Sequence, residues 1–183
     1  MKANRILSVL LLTLLFSACG TQKAAVTSEN NGPMIQTTFF GAKFEDSSRR
    51  VYNKLYRYHP TKGNDGSYTI FEQDFGGHTW HFIEFSFVED LLTRVNFQQE
   101  YKSETAAKSR FESIYSMLRM KYGDMVPNSN DDGFSFKDSA TNMVSITVHP
   151  GTSKGGQEFW YCDLTYYFGG GMLIQYLKSL NEL

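Results

Sequence analysis

Two cysteines, four prolines and four histidines are all that the 183-residue chain holds of these types. A thiolate metal site needs several cysteines at close spacing, so none can be built here. Charge of one sign is also lacking. Eighteen Lys and Arg stand against 19 Asp and Glu. A nucleic-acid binder carries a basic stripe or a high isoelectric point, so nucleic acid is excluded as a partner. No apolar run reaches the roughly 20 residues needed to span a bilayer. The patterns Gly-x-Ser-x-Gly, His-Glu-x-x-His and Cys-x-x-Cys are absent, which removes the usual hydrolase, zinc-protease and dithiol chemistries. The expectation is a protein that is not an enzyme, with no catalytic residue, no metal and no cofactor. What the chain does have is aromatic residues, 15 Phe and 11 Tyr among them. These favour strands and point to a sheet-rich domain.

The N-terminus has a pattern of its own. Met1-Lys2-Ala3-Asn4-Arg5 carries two positive charges, and Ile6 to Phe16 is apolar apart from Ser8 and Thr13. Charge, apolar run and small residues in that order make a secretory signal, expected at residues 1–18. The Phe16-Ser17-Ala18-Cys19 stretch resembles the bacterial lipobox, with Phe16 where that pattern prefers Leu. The resemblance implies that the Cys19 thiol receives a diacylglyceryl group and that cleavage precedes it, giving an acylated (palmitate-type) lipoprotein tethered to a membrane. Two or three acyl chains anchor stably where one is marginal. Residue 20 is Gly, where Asp retains enterobacterial lipoproteins in the inner membrane. No acidic run follows Cys19. Together these imply the outer membrane, with the protein facing the periplasm. With Cys19 taken by lipid, Cys162 has no partner for an internal disulfide. Without Lys2 and Arg5, 16 basic residues face 19 acidic ones, a net −3.

Residues 19–36 are small and polar around Asn30-Asn31-Gly32-Pro33, which reads as a flexible tether. A single domain is expected over residues 37–183. A helix is expected from about Ser47 to Arg57, with Asp46 as cap and Val51, Leu55 and Tyr58 on one face. His59-Pro60 closes it. Three strands follow: Ser67 to Phe71, Trp80 to Val88, and Leu91 to Gln98, the last with Leu91, Val95 and Phe97 on one side. A second helix runs from about Glu104 to Tyr122, capped by Ser103 and ended by Gly123. Its apolar stripe is Ala107, Phe111, Ile114, Leu118 and Tyr122. Three more strands are expected at Gly133 to Lys137, Met143 to His149 and Gln157 to Phe168, with a mobile loop at 150–156. A last helix covers about Gly171 to Asn181. The order is α-βββ-α-βββ-α, and the expected fold class is α+β, an antiparallel sheet with helices packed on one face.

This order resembles the small envelope lipoproteins of the SmpA/OmlA type and the tandem-repeat β-lactamase-inhibitor proteins. Lys121-Tyr122-Gly123 and Phe75-Gly76-Gly77 look like features of small lipoproteins from Bacteroides-type bacteria. These resemblances imply a binding or scaffold role in the cell envelope, with another envelope protein as partner. The candidate surface is the second face of the last strand, where Phe159, Tyr161 and Tyr167 alternate with Asp163 and Thr165. An alternative is a glycan or small ligand stacked on those rings.

Other constellations read as structural. His78 and His81, three apart on a strand, face opposite sides and cannot share a metal ion. Asn128-Ser129-Asn130-Asp131-Asp132-Gly133 has the spacing of a calcium loop, but Ser139 stands where the bidentate Glu belongs, so a plain turn is expected. Gly169-Gly170-Gly171 lacks the Lys-Ser/Thr of a nucleotide loop and reads as a hinge. Cys162, between Trp160 and Leu164 in the alternation, reads as an inert core thiol. An enzymatic reading would require a cleft where His78, His81, His149, Asp131 or Asp163 meet.

Overall fold

The computed structural model describes residues 32–129, 132–152 and 156–171. Outside them lie the expected export signal with Cys19, Asn130 and Asp131, residues 153–155 of the expected loop, and all but the first residue of the expected last helix.

The described chain begins with a hairpin of two short strands, β1 (Thr38–Phe39) and β2 (Ala42–Lys43). Phe40 and Gly41 at its tip both have positive φ, as a two-residue primed turn requires. Helix α1 (Ser48–Leu55) follows and runs into a 3-10 turn at Tyr56–Tyr58. Its cap is Ser47, whose hydroxyl accepts from the Arg50 N–H at 3.4 Å. Asp46, expected to cap it, is instead buried beneath the hairpin. It accepts from the Lys43 N–H at 3.0 Å and from Arg50 Nη1 at 3.1 Å. The cap therefore falls one residue later because Asp46 is already engaged by the preceding turn.

The main body is an antiparallel sheet of eight strands, and the fold class is α+β. In spatial order the strands are β3 (Thr61–Lys62), β4 (Tyr68–Phe75), β5 (His78–Val88), β6 (Leu91–Tyr101), β10 (Glu158–Tyr167), β9 (Met143–Thr152), β8 (Gly133–Lys137) and β7 (Val126–Pro127). Two four-strand meanders thus meet along their final strands, β6 against β10. Each meander has one strand more than expected. The additions, β3 and β7, span two residues each, too few for an alternating pattern to register.

Register explains the core. Ile70, Ile83, Phe97, Leu164, Ile146 and Phe134 lie directly opposite one another across six strands. Tyr68, Phe85, Val95, Tyr166, Val144 and Phe136 form a parallel row beside them. All but Phe134 and Phe136 are buried. A bulge between Ser86 and Phe87 shifts the β5–β6 register. Its effect is that Leu92, not Leu91, joins Val95 and Phe97 in the core. The strict alternation expected from Leu91 fails there because a bulge adds a residue to one strand and turns the following side chains over.

Helix α2 (Glu104–Tyr122) has the expected caps. Ser103 accepts from the Ala106 N–H at 3.3 Å, and Gly123 takes a φ of +90° as its N–H bonds Arg119 O at 2.9 Å. Ala107, Ile114, Leu118 and Tyr122 are its buried residues. Tyr115 meets Phe134 at 4.6 Å between ring centroids, and Tyr122 stacks on Phe136 at 5.3 Å. Phe39 of the first hairpin reaches Tyr166 at 4.8 Å, and Tyr52 of α1 reaches Tyr68 at 5.6 Å. Ile35, within the span assigned to the tether, is buried, and its N–H donates to Asp138 Oδ2 at 3.0 Å.

Candidate functional site

Side chains alternate along a strand, so the residues between the core rows of β6 and β10 face the other way. Four cross-strand pairs result: Arg94 with Tyr167, Asn96 with Thr165, Gln98 with Asp163, and Glu100 with Tyr161. Strand β9 adds Ser145 beside Thr165, Thr147 beside Asp163 and His149 beside Tyr161. The result is a ladder of polar groups with tyrosines at both ends. Phe159, opposite Gly151, extends it.

The three expected aromatic residues therefore do share this face, and each is half-buried. The centre is dry. Asp163 and Thr165 are only 9% and 8% exposed. Burial of polar groups requires partners, and most are present. Thr165 Oγ1 donates to Asn96 Oδ1 at 2.8 Å. His149 Nε2 lies 2.8 Å from Asp163 Oδ2. The exception is Asp163 Oδ1, which is buried without a hydrogen bond of good geometry, although the amides of Gln98 and Asn96 stand beside the carboxyl. At the far end Arg94 Nη2 donates to Glu84 Oε1 at 2.6 Å, with Ser86 Oγ bridging the pair.

The His149–Asp163 pair has a definite electrostatic character. Burial pushes the Asp163 carboxyl above its ordinary range, against the lowering effect of His149, Gln98 and Asn96. Burial pulls the His149 imidazole down, but Asp163, the Pro150 carbonyl and the charge of Asp132 outweigh it, and the net shift is upward. Nδ1 of the same ring lies 3.2 Å from Pro150 O. Both ring nitrogens thus face acceptors, which favours the doubly protonated imidazolium. Neither nitrogen is left to remove a proton from a substrate. Tyr161 lies beside this ring at 5.5 Å and over Gly151, where a Cβ would stand 2.1 Å from Tyr161 Cε2. Glycine at 151 is what lets the ring lie flat there.

Of the residues an enzyme would need to gather, only His149 and Asp163 meet among the described residues. His78 lies on the side of Leu164 and Tyr166, where its Nδ1 accepts from Arg110 Nη1. Burial and the Arg110 charge hold its pKa below the usual histidine value. Arg110 also donates to Tyr101 Oη at 2.9 Å and to Thr79 O at 3.2 Å. His81 is half-buried, 3.9 Å from Glu72. Asp131 lies outside the described residues. In the calcium-like loop, Asn128 donates to Asp132 Oδ1 and Ser145 Oγ, both at 3.3 Å, and Ser139 turns toward Met34. The glycines at 169–171 serve close packing. A Cβ on Gly169 would meet Thr141 Oγ1 at 2.0 Å, and the Gly169 N–H is already given to Asn142 Oδ1. Cys162 is buried, and its thiol is pushed up to about 12 by burial and the Asp163 charge. That value keeps it protonated and unreactive.

Sequence reasoning missed the Arg110 cluster and the role of Gly151. Nothing in the local sequence signals either, because the partners lie 9–32 and 10 residues away along the chain. Comparison with protein-family models, with curated proteins and with solved structures finds no match.

Proposed function

We propose that the chain is a lipid-anchored binding or scaffold protein of the cell envelope, held through Cys19 at the periplasmic side of the outer membrane. It acts by protein–protein contact through the β6–β10–β9 face. In this reading α1, α2 and the first hairpin all cover the core rows, and the tyrosine-flanked ladder is what the domain presents. The observation that carries the reading is that ladder: Tyr161 and Tyr167, amphipathic rings of the kind enriched at interfaces, frame polar pairs that are satisfied but for Asp163 Oδ1.

The sheet edges support the face as the contact surface, because both are blunted against strand addition. Ser67 O accepts from Gly63 N at 2.9 Å, so Phe71, four residues on, turns the same way past the end of β3. Its carbonyl is taken by Gln73 Nε2 at 2.8 Å, and Glu72 at φ +48° breaks the run. At the other edge the Val148 N–H goes to Asp132 O at 3.0 Å. Pro150, two residues further, faces the same way with no N–H to offer.

A photo-crosslinker placed at Tyr161 in the native cells, compared with one at exposed Met120 on α2, tests this. One stoichiometric envelope protein captured from Tyr161, and not from Met120, supports it. Capture that is equal at both sites, or absent at both, refutes it. The ladder of amides, hydroxyls and a carboxylate beside a ring also suits a sugar chain, the second reading. Retention on isolated cell-wall or capsular glycan that is lost in Tyr161→Ala would favour that one.

A further inference from the structure

We propose that the cavity between α2 and the core side of the sheet binds a small monocarboxylic acid with an apolar body, an aryl or short-chain alkyl acid. The inference concerns the side of β10 opposite the ladder and does not depend on the reading above. The cavity measures about 130 Å³. Phe75, Trp80, Leu164 and Tyr166 form its strand-side wall, and Leu118 of α2 closes it. A cavity of about 150 Å³ with apolar walls admits a benzene molecule, so for this smaller space a single ring is the upper limit.

The polar groups at its rim select the ligand's charge. Lys121 lines the rim and is exposed. Among the described residues no carboxylate pairs with it. Its ammonium sits 5.0 Å from the Tyr122 ring centroid, a contact that leaves its hydrogen-bond donors for another group. Among the described residues no acidic one lines the cavity, which holds Gln36 and His78 besides. His78 accepts from Arg110 through Nδ1, which places its ring proton on Nε2 and makes it a neutral donor. The Trp80 indole N–H is spent on Phe75 O at 3.1 Å, so the floor offers no competing polar group there. An apolar chamber with one unpaired ammonium at its mouth disfavours amines and gains a charge-assisted hydrogen bond from a carboxylate. Gly76 sits at the same mouth, exposed and without a side chain to close it.

The chain has two tryptophans, so full-length protein carrying Trp160→Phe reports through Trp80 alone. Benzoate, phenylacetate and butyrate are titrated against it, with benzyl alcohol as the uncharged counterpart. The acids are expected to change Trp80 emission saturably and to raise the melting temperature with concentration. Lys121→Met should weaken acid binding roughly tenfold, leave benzyl alcohol unaffected, and be rescued by Lys121→Arg. Lys121 is exposed, so these variants keep the fold, and unaltered unfolding curves verify that. The proposal is overturned if no acid gives a saturable change at about 10 mM, a concentration that reveals even millimolar affinity. It is overturned equally if Lys121→Met binds the acids as tightly as the parent, or if benzyl alcohol binds as well as benzoate.

Discussion

His149 and Asp163 are 14 residues apart in sequence, and their side chains meet at 2.8 Å across the β9–β10 pair. Replacing His149 by Ala strands a buried carboxylate. The expected cost is about 1–2 kcal/mol, below the usual value for a broken buried pair because the imidazole is 40% exposed. Urea unfolding of the two proteins measures it.

The same pair sets a pH dependence. His149 titrates higher in the folded protein than its ordinary 6.5. Protons therefore bind the folded form more tightly, and the stabilisation is complete below 6.5 and lost as pH rises through the folded value. Asp163, also raised, has the same sign from its ordinary 3.8 upward: its ionisation opposes folding. The parent should lose stability between pH 6 and pH 9 relative to His149→Gln. Urea midpoints at the two pH values give the comparison, and a gap between the proteins that stays constant would contradict it.

Asp138 ties the segment before β1 to the β8–β9 turn. Its carboxylate accepts from the Ile35 N–H at 3.0 Å, the Asn142 N–H at 2.9 Å and Asn142 Nδ2 at 3.2 Å, all buried. Asp138→Ala leaves two buried backbone donors unpaired and should cost about 3 kcal/mol. Hydrogen exchange of the Ile35 amide should accelerate beyond the global change, since its Asp138 acceptor is gone.

Two glycines on neighbouring strands should respond differently to alanine. At Gly133 a Cβ would stand 1.9 Å from Ile146 O, a backbone atom held in the β8–β9 ladder. Gly133→Ala should cost more than about 2 kcal/mol through backbone displacement. At Gly151 the clash is with the Tyr161 ring. Gly151→Ala should stay folded, with a smaller loss, and displace the ring. It therefore separates the position of Tyr161 from the stability of the domain in any binding assay.

Phe97 lies in the middle of the six-strand core row and touches Phe75, stacked at 4.3 Å, and Trp80 at 5.5 Å. Phe97→Ala should cost about 3–5 kcal/mol, the range for a buried aromatic truncated to alanine. Thermal unfolding followed by near-ultraviolet circular dichroism checks it, because loss of the ring cluster also removes aromatic signal.

Helix α2 was legible in the sequence to its end residues. Ser103 and Gly123 act locally, on backbone groups within four residues, so their effect does not wait for the rest of the chain. The inward residues of β10 were legible for the same kind of reason: a strand buried on one face must alternate. Asp46 misled because two local partners compete for its carboxylate, and the turn before it prevailed over the helix after it. The burial of Asp163 and Thr165 was not legible, since it depends on what β6 and β9 place alongside.

The sequence by itself determined the caps of α2, the alternation of β10 and the α+β class. These depend on short-range backbone sterics and on composition. Only the tertiary structure decided that β6 meets β10, that Leu92 turns inward at a bulge, that Asp163 takes His149 as partner and that Lys121 overhangs an apolar cavity. Each of these is a contact between residues distant in the chain, or a register shift, and pairing across a sheet is settled by the joint packing of all its strands.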